Sequence, residues 1–371
     1  MKKLFLTLAM GAMAMAAGHA SALDRYADNW GSNKPITLAV FGDWPYNQLL
    51  LDNASLLIDS VNTSIPKVSR VMHVGDIHSG SMPCTSAGIL PTISTANPGW
   101  SLNVFHAFQS FEAPVVYTPG DNEWTDCQKT KQLSAGAPLN ELTAVRTLFF
   151  SRPGKTLGGT SEDVLSQALN YDASYPTDAQ YVENVMWTTN HTVFLTLNMP
   201  GSNNDGLPWA APFSDPTAQA QEVAQRTAAD IRWMQQAFAT AKRKGARAVV
   251  IGIQADMWDP AAVVSGGDGL SGYTGFVQAL ATEALAFGKP VLLINGDSHL
   301  YGSDQPLADP NSATGKIHNT PAVTNLTRII VQGSTNAPAE WLRLTIDPTK
   351  PASPFSWTNV PYCTTPLKTC N

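Results

Sequence analysis

The sequence carries little charge. Asp, Glu, Lys and Arg make up 14% of the 371 residues, whereas about 25% is usual in globular proteins. The charge that is present is unbalanced, with 29 acidic against 23 basic residues and a formal net charge of −6. An acidic surface repels polyanions, which argues against nucleic acid as a partner. A small phosphorylated substrate is still compatible with this charge, because bound cations can make one acidic cleft locally positive.

Beyond its N-terminus the sequence also lacks long apolar runs. A membrane-spanning helix needs about 20 apolar residues, and no later stretch offers them. Residues 1–22 are typical of a secretory signal peptide, because Lys2 and Lys3 precede the apolar stretch Leu4 to Ala17 and an Ala-Ser-Ala sequence follows. There is no cysteine at the cleavage point, so a lipid anchor is not indicated. We therefore expect a secreted or periplasmic protein without a membrane anchor.

Cysteine is scarce, with four residues in the whole chain. Zinc ligation is disfavoured, because the chain has neither a Cys-x-x-Cys spacing nor a histidine partner near the cysteines. An even number of cysteines in an exported chain favours disulfides. Of the three possible connectivities we expect Cys84–Cys127, in loops that leave the candidate site, and Cys363–Cys370, in a Pro- and Thr-rich tail.

The sequence contains no polar linker and no internal repeat. Its length fits one large or two small domains, and its 43% of hydrophobic residues are enough for a large core. We therefore predict a single domain over residues 23–371, ending in a disulfide-closed tail.

Apolar runs and amphipathic stretches alternate along the chain, which predicts an α/β fold. The longest helix is predicted over Pro216–Lys244, with Ser214 or Asp215 as its N-terminal cap. Two late strands, Arg328–Gln332 and Trp341–Ile346, alternate in polarity and are predicted to form a closing antiparallel pair. The other predicted strands are Ile36–Phe41, Val71–Val74, Val115–Tyr117, Val185–Trp187, Thr192–Leu197, Ala246–Ile253 and Val291–Ile294. The other predicted helices are Asn47–Asn62, Ser101–Phe111, Glu141–Phe150 and Gly275–Phe287.

Four short segments, each with a Gly-Asp pair, are the main clue to function. Each directly follows an apolar run that is predicted to be a buried strand. The segments are Phe41–Tyr46, His73–His78, Pro119–Trp124 and Asn295–Tyr301. Side chains at the carboxyl ends of strands in an open α/β structure converge on one crevice. Convergent Asp, Asn and His side chains suit a pair of hard divalent cations, so the pattern indicates metal-assisted phosphoester chemistry.

The order and spacing of these segments resemble the calcineurin-like metallophosphoesterase superfamily, and their motif style is similar to its purple acid phosphatase branch. The resemblance covers Ile36 to Ile346, which is most of the chain. It implies a four-layer α/β/β/α sandwich with a two-metal site at the strand ends. The implied activity is hydrolysis of small phosphate esters by attack of a metal-bound hydroxide.

The resemblance also implies a set of site residues. Asp43 matches the first metal-ligand Asp, and Asp76 matches the Asp that bridges both cations. Asn122 stands at the position of the family's catalytic His. Glu123 matches the acid that orients this His. The other implied metal ligands are Asp121, Gln254, Asp297 and His299. His78 is expected as a substitute acid or an extra ligand, and the nearby aromatic residues Tyr46, Trp124 and Tyr301 are expected to contact substrate.

At several of these positions the chain departs from the family pattern. Asn122, Gln254 and Asp297 stand where the family has histidine, and Asp121 stands where it has asparagine. In addition, Pro45 and Ser79 replace a His and a Tyr of the family's first two segments. The replacements at the aligned ligand and catalytic positions all offer an oxygen, which favours Mg²⁺, Mn²⁺ or Ca²⁺ over Fe and Zn²⁺. These replacements are Asp121, Asn122, Gln254 and Asp297.

These departures leave more than one function open. Asn122 cannot donate a proton as a general acid, and the loss of such help costs roughly 10²–10⁴-fold in rate. The sequence therefore supports an exported phosphoesterase or, alternatively, a catalytically silent relative that binds a ligand or a partner protein. A third, weaker hypothesis is an acyl hydrolase that uses Ser298, because Gly296 to Ser298 is similar to the nucleophile motif of lipase-like hydrolases.

Overall fold

The structure is a computed structural model that describes residues 29–84 and 99–370. The predicted signal peptide at residues 1–22 lies outside the described residues. The strands are β1 Ile36–Phe41, β2 Arg70–His73, β3 Val115–Tyr117, β4 Leu165–Ser166, β5 Val185–Thr189, β6 Thr192–Thr196, β7 Ala248–Gly252, β8 Val291–Asn295, β9 Gly302–Asp304, β10 Leu326–Ile330, β11 Ala339–Ile346 and β12 Phe355–Cys363. The helices are α1 Gln48–Asp52, α2 Ala54–Asn62, α3 Trp100–Gln109, α4 Pro138–Phe149, α5 Gln167–Asn170, α6 Pro216–Lys244 and α7 Thr274–Phe287. Short 3₁₀ turns lie at Thr125–Gln128, Thr130–Gln132, Pro176–Gln180, Pro260–Val263 and Ser271–Tyr273.

The strands form two mixed sheets, which confirms the predicted α/β class. The five-stranded sheet has the order β12-β11-β1-β2-β3, and its β1, β2 and β3 run parallel. The seven-stranded sheet has the order β4-β5-β6-β7-β8-β10-β9, and its β6, β7, β8 and β10 run parallel. Parallel neighbours end at the same edge of a sheet, so the loops after β1, β2 and β3 are grouped, as are those after β7 and β8.

The predicted closing pair of strands is wrong. β10 lies between β8 and β9 in the seven-stranded sheet, whereas β11 lies between β1 and β12 in the five-stranded sheet. Alternating polarity indicates that one face of a strand is buried, but it does not identify the neighbouring strand. The antiparallel partner at the edge of the five-stranded sheet is β12, which the sequence analysis missed.

An apolar core contains residues of both sheets. Leu38 and Val40 of β1 belong to the same buried cluster as Val250 of β7 and Leu292 and Ile294 of β8. Side chains alternate between the two faces of a strand, so the intervening residues of the same strands lie on the opposite faces. There they contact helices rather than the other sheet.

Two further apolar cores join helices to the sheets. Met234 and Phe238 of α6 and Leu280 of α7 lie in one cluster with residues of the seven-stranded sheet. Leu57 of α2 and Phe108 of α3 lie in another cluster with residues of the five-stranded sheet. Each sheet therefore shares one face with the other sheet and the opposite face with helices.

Local sequence signals set the bounds of α6 as predicted. The Asp215 side chain accepts a hydrogen bond from the N–H of Ala218 at 2.9 Å, and Pro216 occupies the first turn. Gly245 ends the helix in the left-handed region, with φ 66°. That conformation costs glycine little, which is why glycine is common at this position.

The predicted disulfide pairing is confirmed. Cys84 is bonded to Cys127, with 5.6 Å between their Cα atoms, and Cys363 is bonded to Cys370, with 4.5 Å between theirs. Among the described helices, none is both long enough and apolar enough to cross a bilayer.

Candidate metal centre

The loops that follow five strands of the two sheets bring polar side chains together. Asp43 follows β1, Asp76 follows β2 and Asp121 follows β3, all in the five-stranded sheet. From the seven-stranded sheet, Gln254 follows β7, and Asp297 and His299 follow β8. These are the six residues that the resemblance implied as metal ligands, and the contacts described below place them at one site.

One group within this site consists of Asp43, Asp76 and His299. Each offers one ligand atom, and these atoms all lie within 4.8 Å of one another. The hydroxyl of Tyr46 lies among them, 3.0 Å from Oδ1 of Asp43, 2.7 Å from Oδ2 of Asp76 and 3.1 Å from Nε2 of His299. Tyr46 is therefore in contact with the proposed ligands themselves, and its side chain is buried.

A second group is arranged around the amide of Gln254. Its Nε2 lies 3.1 Å from Oδ1 of Asp121, 3.1 Å from Oδ1 of Asp297 and 3.4 Å from Oδ2 of Asp76. Its Oε1 accepts a hydrogen bond from the N–H of Gly201. Gln254 thus holds three carboxylates in place, and Asp76 belongs to both groups.

Close packing explains why glycine precedes Asp121 and Asp297. A Cβ on Gly120 would lie 2.0 Å from Oδ1 of Asp76, and a Cβ on Gly296 would lie 2.6 Å from Oδ2 of Asp43. Such distances are shorter than any van der Waals contact, so a side chain at either position would displace a proposed ligand. The Gly-Asp pairs after β3 and β8 therefore reflect how closely one loop approaches the carboxylate of another.

The backbone at the site is held in a conformation that most residues avoid. Asp43, Asp76, Asp297 and His299 all have positive φ, at 50°, 60°, 73° and 63°. Non-glycine residues in this region cost of order 1–3 kcal/mol each and cluster at functional sites. Asp tolerates the region better than most residues, because its short side chain bonds to nearby backbone.

Burial and mutual repulsion perturb the carboxyl groups. Burial, with added repulsion from Asp121, raises the pKa values of Asp76 and Asp297 well above their ordinary range. Burial, followed by repulsion from Asp126, raises the pKa of Asp121 to about 6. Burial lowers the pKa of His299, but the neighbouring Asp43 outweighs it, and the value rises to about 9. Without cations these carboxyl groups therefore retain protons to higher pH than usual, because the site's own residues do not offset their combined charge.

The side chains of Asn122 and Glu123, although adjacent in the chain, make different contacts. Nδ2 of Asn122 donates to Oδ2 of Asp76 at 2.8 Å and lies 3.2 Å from the hydroxyl of Tyr46, which places this amide inside the site. Oε1 of Glu123 accepts from the hydroxyl of Tyr117 at 2.7 Å and from the N–H groups of Ile77 and Gly120 at 3.1 and 3.2 Å. Glu123 therefore ties the loops after β2 and β3 together beneath the site.

Three predicted site residues lie apart from the two groups. His78 is buried, contacts the carbonyl of Ser79 at 3.2 Å, and has its pKa lowered by burial to about 4. Trp124 is fully buried, with the Arg226 guanidinium 5.4 Å from its ring centre, so it presents no face to a substrate. Tyr301 is 38% exposed, and its hydroxyl accepts a hydrogen bond from Trp357.

The left-handed turn at Gly201–Asp205 was not predicted from the sequence. Ser202, Asn203 and Asn204 have φ of 53°, 55° and 62°. Oγ of Ser202 donates to Oδ2 of Asp121 at 2.9 Å, so this turn contacts a proposed ligand. The run of Asn and Asp residues was the available signal, since these residues are enriched in the left-handed region.

A second feature that the sequence analysis missed is the pair of lysines around Asp126. Asp126 is buried and forms ion pairs with Lys129 at 2.7 Å and Lys131 at 3.2 Å. Lys129 also donates to Ser202 at 2.8 Å, whereas Lys131 lines the cleft above the carboxylates. Both lysines lie on 3₁₀ turns or their caps, and the sequence contains no motif that marks these turns.

The donor set fits divalent cations. Asp43, Asp76 and Asp121 are at most 7% exposed, and Oδ2 of Asp43 is buried without a hydrogen-bond partner. Buried charge that is not paired is costly unless a metal ion or another partner neutralises it. Carboxylate and amide oxygens are the ligands that Mg²⁺, Mn²⁺ and Ca²⁺ prefer. For Gln254 to contribute its oxygen, the amide must turn away from the N–H of Gly201.

Comparison with known proteins leaves the family open. No protein-family model matches the chain. No curated protein matches it either. Among solved structures, the chain is similar to GAP50, the anchor in the inner membrane complex of Plasmodium, over 89% of this chain and 90% of that one, with 9% identity and a TM-score of 0.40. A similarity at this level supports no conclusion about fold or function.

Proposed function

We propose that the protein is an exported, metal-dependent phosphoesterase of the metallophosphoesterase type that hydrolyses small phosphate esters. One observation carries the proposal. Four carboxylates converge from the ends of four strands that belong to two sheets. Within the two groups of residues described above, the side chain that can carry a positive charge beside them is His299. A buried excess of negative charge of this kind is what a site for divalent cations requires.

The proposed cofactor is a pair of divalent cations, Mg²⁺, Mn²⁺ or Ca²⁺ rather than Fe or Zn²⁺. Asp43, Asp76 and His299 would hold the first cation. Asp121, Asp297 and the oxygen of Gln254 would hold the second, with Asp76 shared between the two. When bound, such a pair neutralises phosphate charge and makes water a nucleophile at neutral pH.

The residues of the chain itself would bind and orient the substrate. The amide of Asn122 donates to Asp76 and Tyr46, so it would donate to a phosphate oxygen in place of one of these contacts. It has no proton to give to a leaving group. We therefore expect esters with good leaving groups, such as p-nitrophenol, to react much faster than alkyl esters.

The three apolar cores support the finer fold proposal. Helices on the outer face of each sheet and a shared core between the sheets are the arrangement expected of a four-layer α/β/β/α sandwich. The two disulfides support export, because disulfides persist in oxidising compartments such as the periplasm or the extracellular space.

A catalytically silent binding protein is the second candidate. Two observations favour it: Asn122 takes the position of a proton donor, and the hydroxyl of Tyr46 lies among the proposed ligands of the first cation. The acyl hydrolase hypothesis has less support, because Oγ of Ser298 donates to Asp256 at 2.8 Å and, within the described part of the chain, it has no hydrogen bond to a histidine.

Hydrolysis of p-nitrophenyl phosphate by the metal-stripped protein tests the proposal. Mg²⁺, Mn²⁺, Ca²⁺, Fe²⁺ and Zn²⁺ are added back singly to the parent, to Asp76→Asn and to Ser298→Ala. Turnover that one cation restores in the parent and in Ser298→Ala, but not in Asp76→Asn, supports the phosphoesterase. No turnover with any cation would favour the silent relative, because this leaving group needs no general acid.

A further inference from the structure

One lysine side chain faces the cleft. The described residues that line the cleft include Asp76, Asp121, Asn122 and His299 of the proposed site. Among these described lining residues, Lys131 is the only lysine, and none is an arginine. About half of its side chain, 53%, is exposed, so the ammonium group is accessible to a ligand.

The two lysines that pair with Asp126 differ in their exposure and in their other contacts. The Lys129 side chain is 21% exposed and is occupied by Asp126 and Ser202. Among the described residues, the Lys131 side chain forms an ion pair with Asp126, at 3.2 Å. Asp126 therefore has two ammonium groups as partners, and the ammonium group of Lys131 also interacts with the carboxylates of Asp121 and Asp76 in the cleft.

Gly80 shows how close this charge lies to the proposed site. A Cβ on Gly80 would lie 2.8 Å from Oδ1 of Asn122 and 3.0 Å from Nζ of Lys131. Both groups therefore pack closely against Gly80 at the wall of the cleft. Because Nδ2 of Asn122 contacts Asp76 at 2.8 Å, the Lys131 ammonium lies beside a residue that touches a proposed cation ligand.

We infer that Lys131 binds a phosphate oxygen of the substrate in the cleft beside Asn122, and that it makes the site selective for phosphate monoesters over diesters. This inference rests on the proposed phosphoesterase function. A monoester carries about one more negative charge than a diester at neutral pH, and its extra anionic oxygen is the one that an ammonium group attracts. A diester has an esterified oxygen at that position, which offers less charge and more bulk.

The test compares p-nitrophenyl phosphate with bis(p-nitrophenyl) phosphate, because the two esters share a leaving group. kcat/KM is measured for both with the parent, Lys131→Met and Lys131→Arg. Loss of a hydrogen bond to a charged group predicts a fall of about 10- to 100-fold for the monoester in Lys131→Met. The diester should lose much less, and Lys131→Arg should keep most of the preference for the monoester.

One control variant and one steric variant sharpen the comparison. Lys67→Met is the control, because it removes a lysine that pairs with Glu112 at an exposed site, and it should behave as the parent does. Gly80→Ala is the steric variant: its methyl group would displace Oδ1 of Asn122 and Nζ of Lys131 while the charge is kept, and it should reduce turnover of the monoester. Circular dichroism and the melting temperature establish that each variant is folded.

A direct binding measurement separates this inference from the proposed function. Inorganic phosphate is titrated calorimetrically into the metal-loaded protein, and its Kd should rise about 10- to 100-fold in Lys131→Met. Equal losses for both esters, or an unchanged phosphate affinity, would overturn the role of Lys131. If the parent hydrolyses neither ester, the proposed function fails, whereas the phosphate titration still decides whether Lys131 binds the anion.

Discussion

The hydroxyl of Tyr46 donates a hydrogen bond to Oδ2 of Asp76 at 2.7 Å, inside the group proposed to hold the first cation. It also contacts Oδ1 of Asp43 at 3.0 Å. Burial, with the charge of both carboxylates, raises the pKa of Tyr46 well above its ordinary value, so the hydroxyl keeps its proton at neutral pH. A neutral donor thus stabilises two buried carboxylates when no cation does.

Replacement of Tyr46 by Phe should therefore destabilise the metal-free protein more than the metal-loaded protein. The metal-free variant should lose about 1–3 kcal/mol of unfolding free energy, because buried carboxylates lose a donor. Bound cations replace that donor, so added Mn²⁺ should stabilise Tyr46→Phe more than it stabilises the parent. Urea unfolding with EDTA and with Mn²⁺ measures both values. Tyr301→Phe is the control, since Tyr301 lies outside the group, and equal losses with and without Mn²⁺ would contradict the prediction.

Single ligand substitutions should change the number of bound cations. Asp43→Asn should remove the first cation and Asp297→Asn the second, whereas Asp76→Asn should weaken both because both groups share Asp76. Isothermal titration of Mn²⁺ into the metal-stripped protein counts the sites. Asp163→Asn is a matched control, because Asp163 is 52% exposed and pairs with Lys155 away from the cleft. A stoichiometry that stays unchanged in Asp43→Asn and Asp297→Asn would exclude these residues as ligands.

Only one of the two disulfides should matter for activity. Sγ of Cys84 lies 3.2 Å from the carbonyl oxygen of Asn122, so the Cys84–Cys127 bond packs directly against the site. Its 43-residue separation corresponds to about 4 kcal/mol of chain entropy, against about 2 kcal/mol for the 7-residue separation of Cys363–Cys370.

We therefore expect Cys84→Ser/Cys127→Ser to lose both stability and phosphatase turnover. Cys363→Ser/Cys370→Ser should lose less stability and keep its turnover. Urea midpoints and p-nitrophenyl phosphate rates compare the two double variants. Equal turnover in both would show that the bond beside Asn122 does not support the site.

Acid should destabilise the fold through His73. His73 is fully buried, donates from Nε2 to the carbonyl of Trp44 at 2.9 Å, and has its pKa lowered by burial to about 4. In the unfolded chain its pKa is near 6.5, so the unfolded state binds a proton first as the pH falls. The stabilisation that the neutral, buried His73 provides is complete above about pH 6.5 and is lost as the pH falls to about 4. The free energy of unfolding falls by about 1.4 kcal/mol per pH unit over this range, and by at most about 3 kcal/mol in all.

Urea unfolding at pH 7, 6 and 5 measures this dependence. His73→Gln should be less stable than the parent at pH 7 but should show a shallower slope with pH. His106→Gln, at an exposed histidine, should keep the slope of the parent. A parent-like slope in His73→Gln would assign the acid sensitivity to other groups.

The sequence alone determined the features that depend on neighbouring residues. The bounds of α6 follow from the cap at Asp215, Pro216 in the first turn and Gly245 at the end, all of which act within one or two turns of the helix. The strands that precede Asp43 and Asp76 follow from short apolar runs. Because each Gly-Asp pair directly follows its strand, these side chains were placed at strand ends without knowledge of the tertiary structure.

The tertiary structure alone decided the features that depend on distant residues. β10 and β11 have similar alternation yet lie in different sheets, because each strand's partner is set by packing across the whole fold rather than by its own residues. Trp124 was expected to face a substrate, but it lies under Arg226, which is about 100 positions away in the chain.

The same distinction holds within the proposed site. The sequence identified the carboxylates, because a motif and its strand are adjacent in the chain. It did not identify Ser202 or Lys131, since they reach the site from loops whose position depends on α6 and on the Cys84–Cys127 bond. Chemical type is a local property that the sequence states directly, whereas which side chains share a cleft depends on how the two sheets pack together.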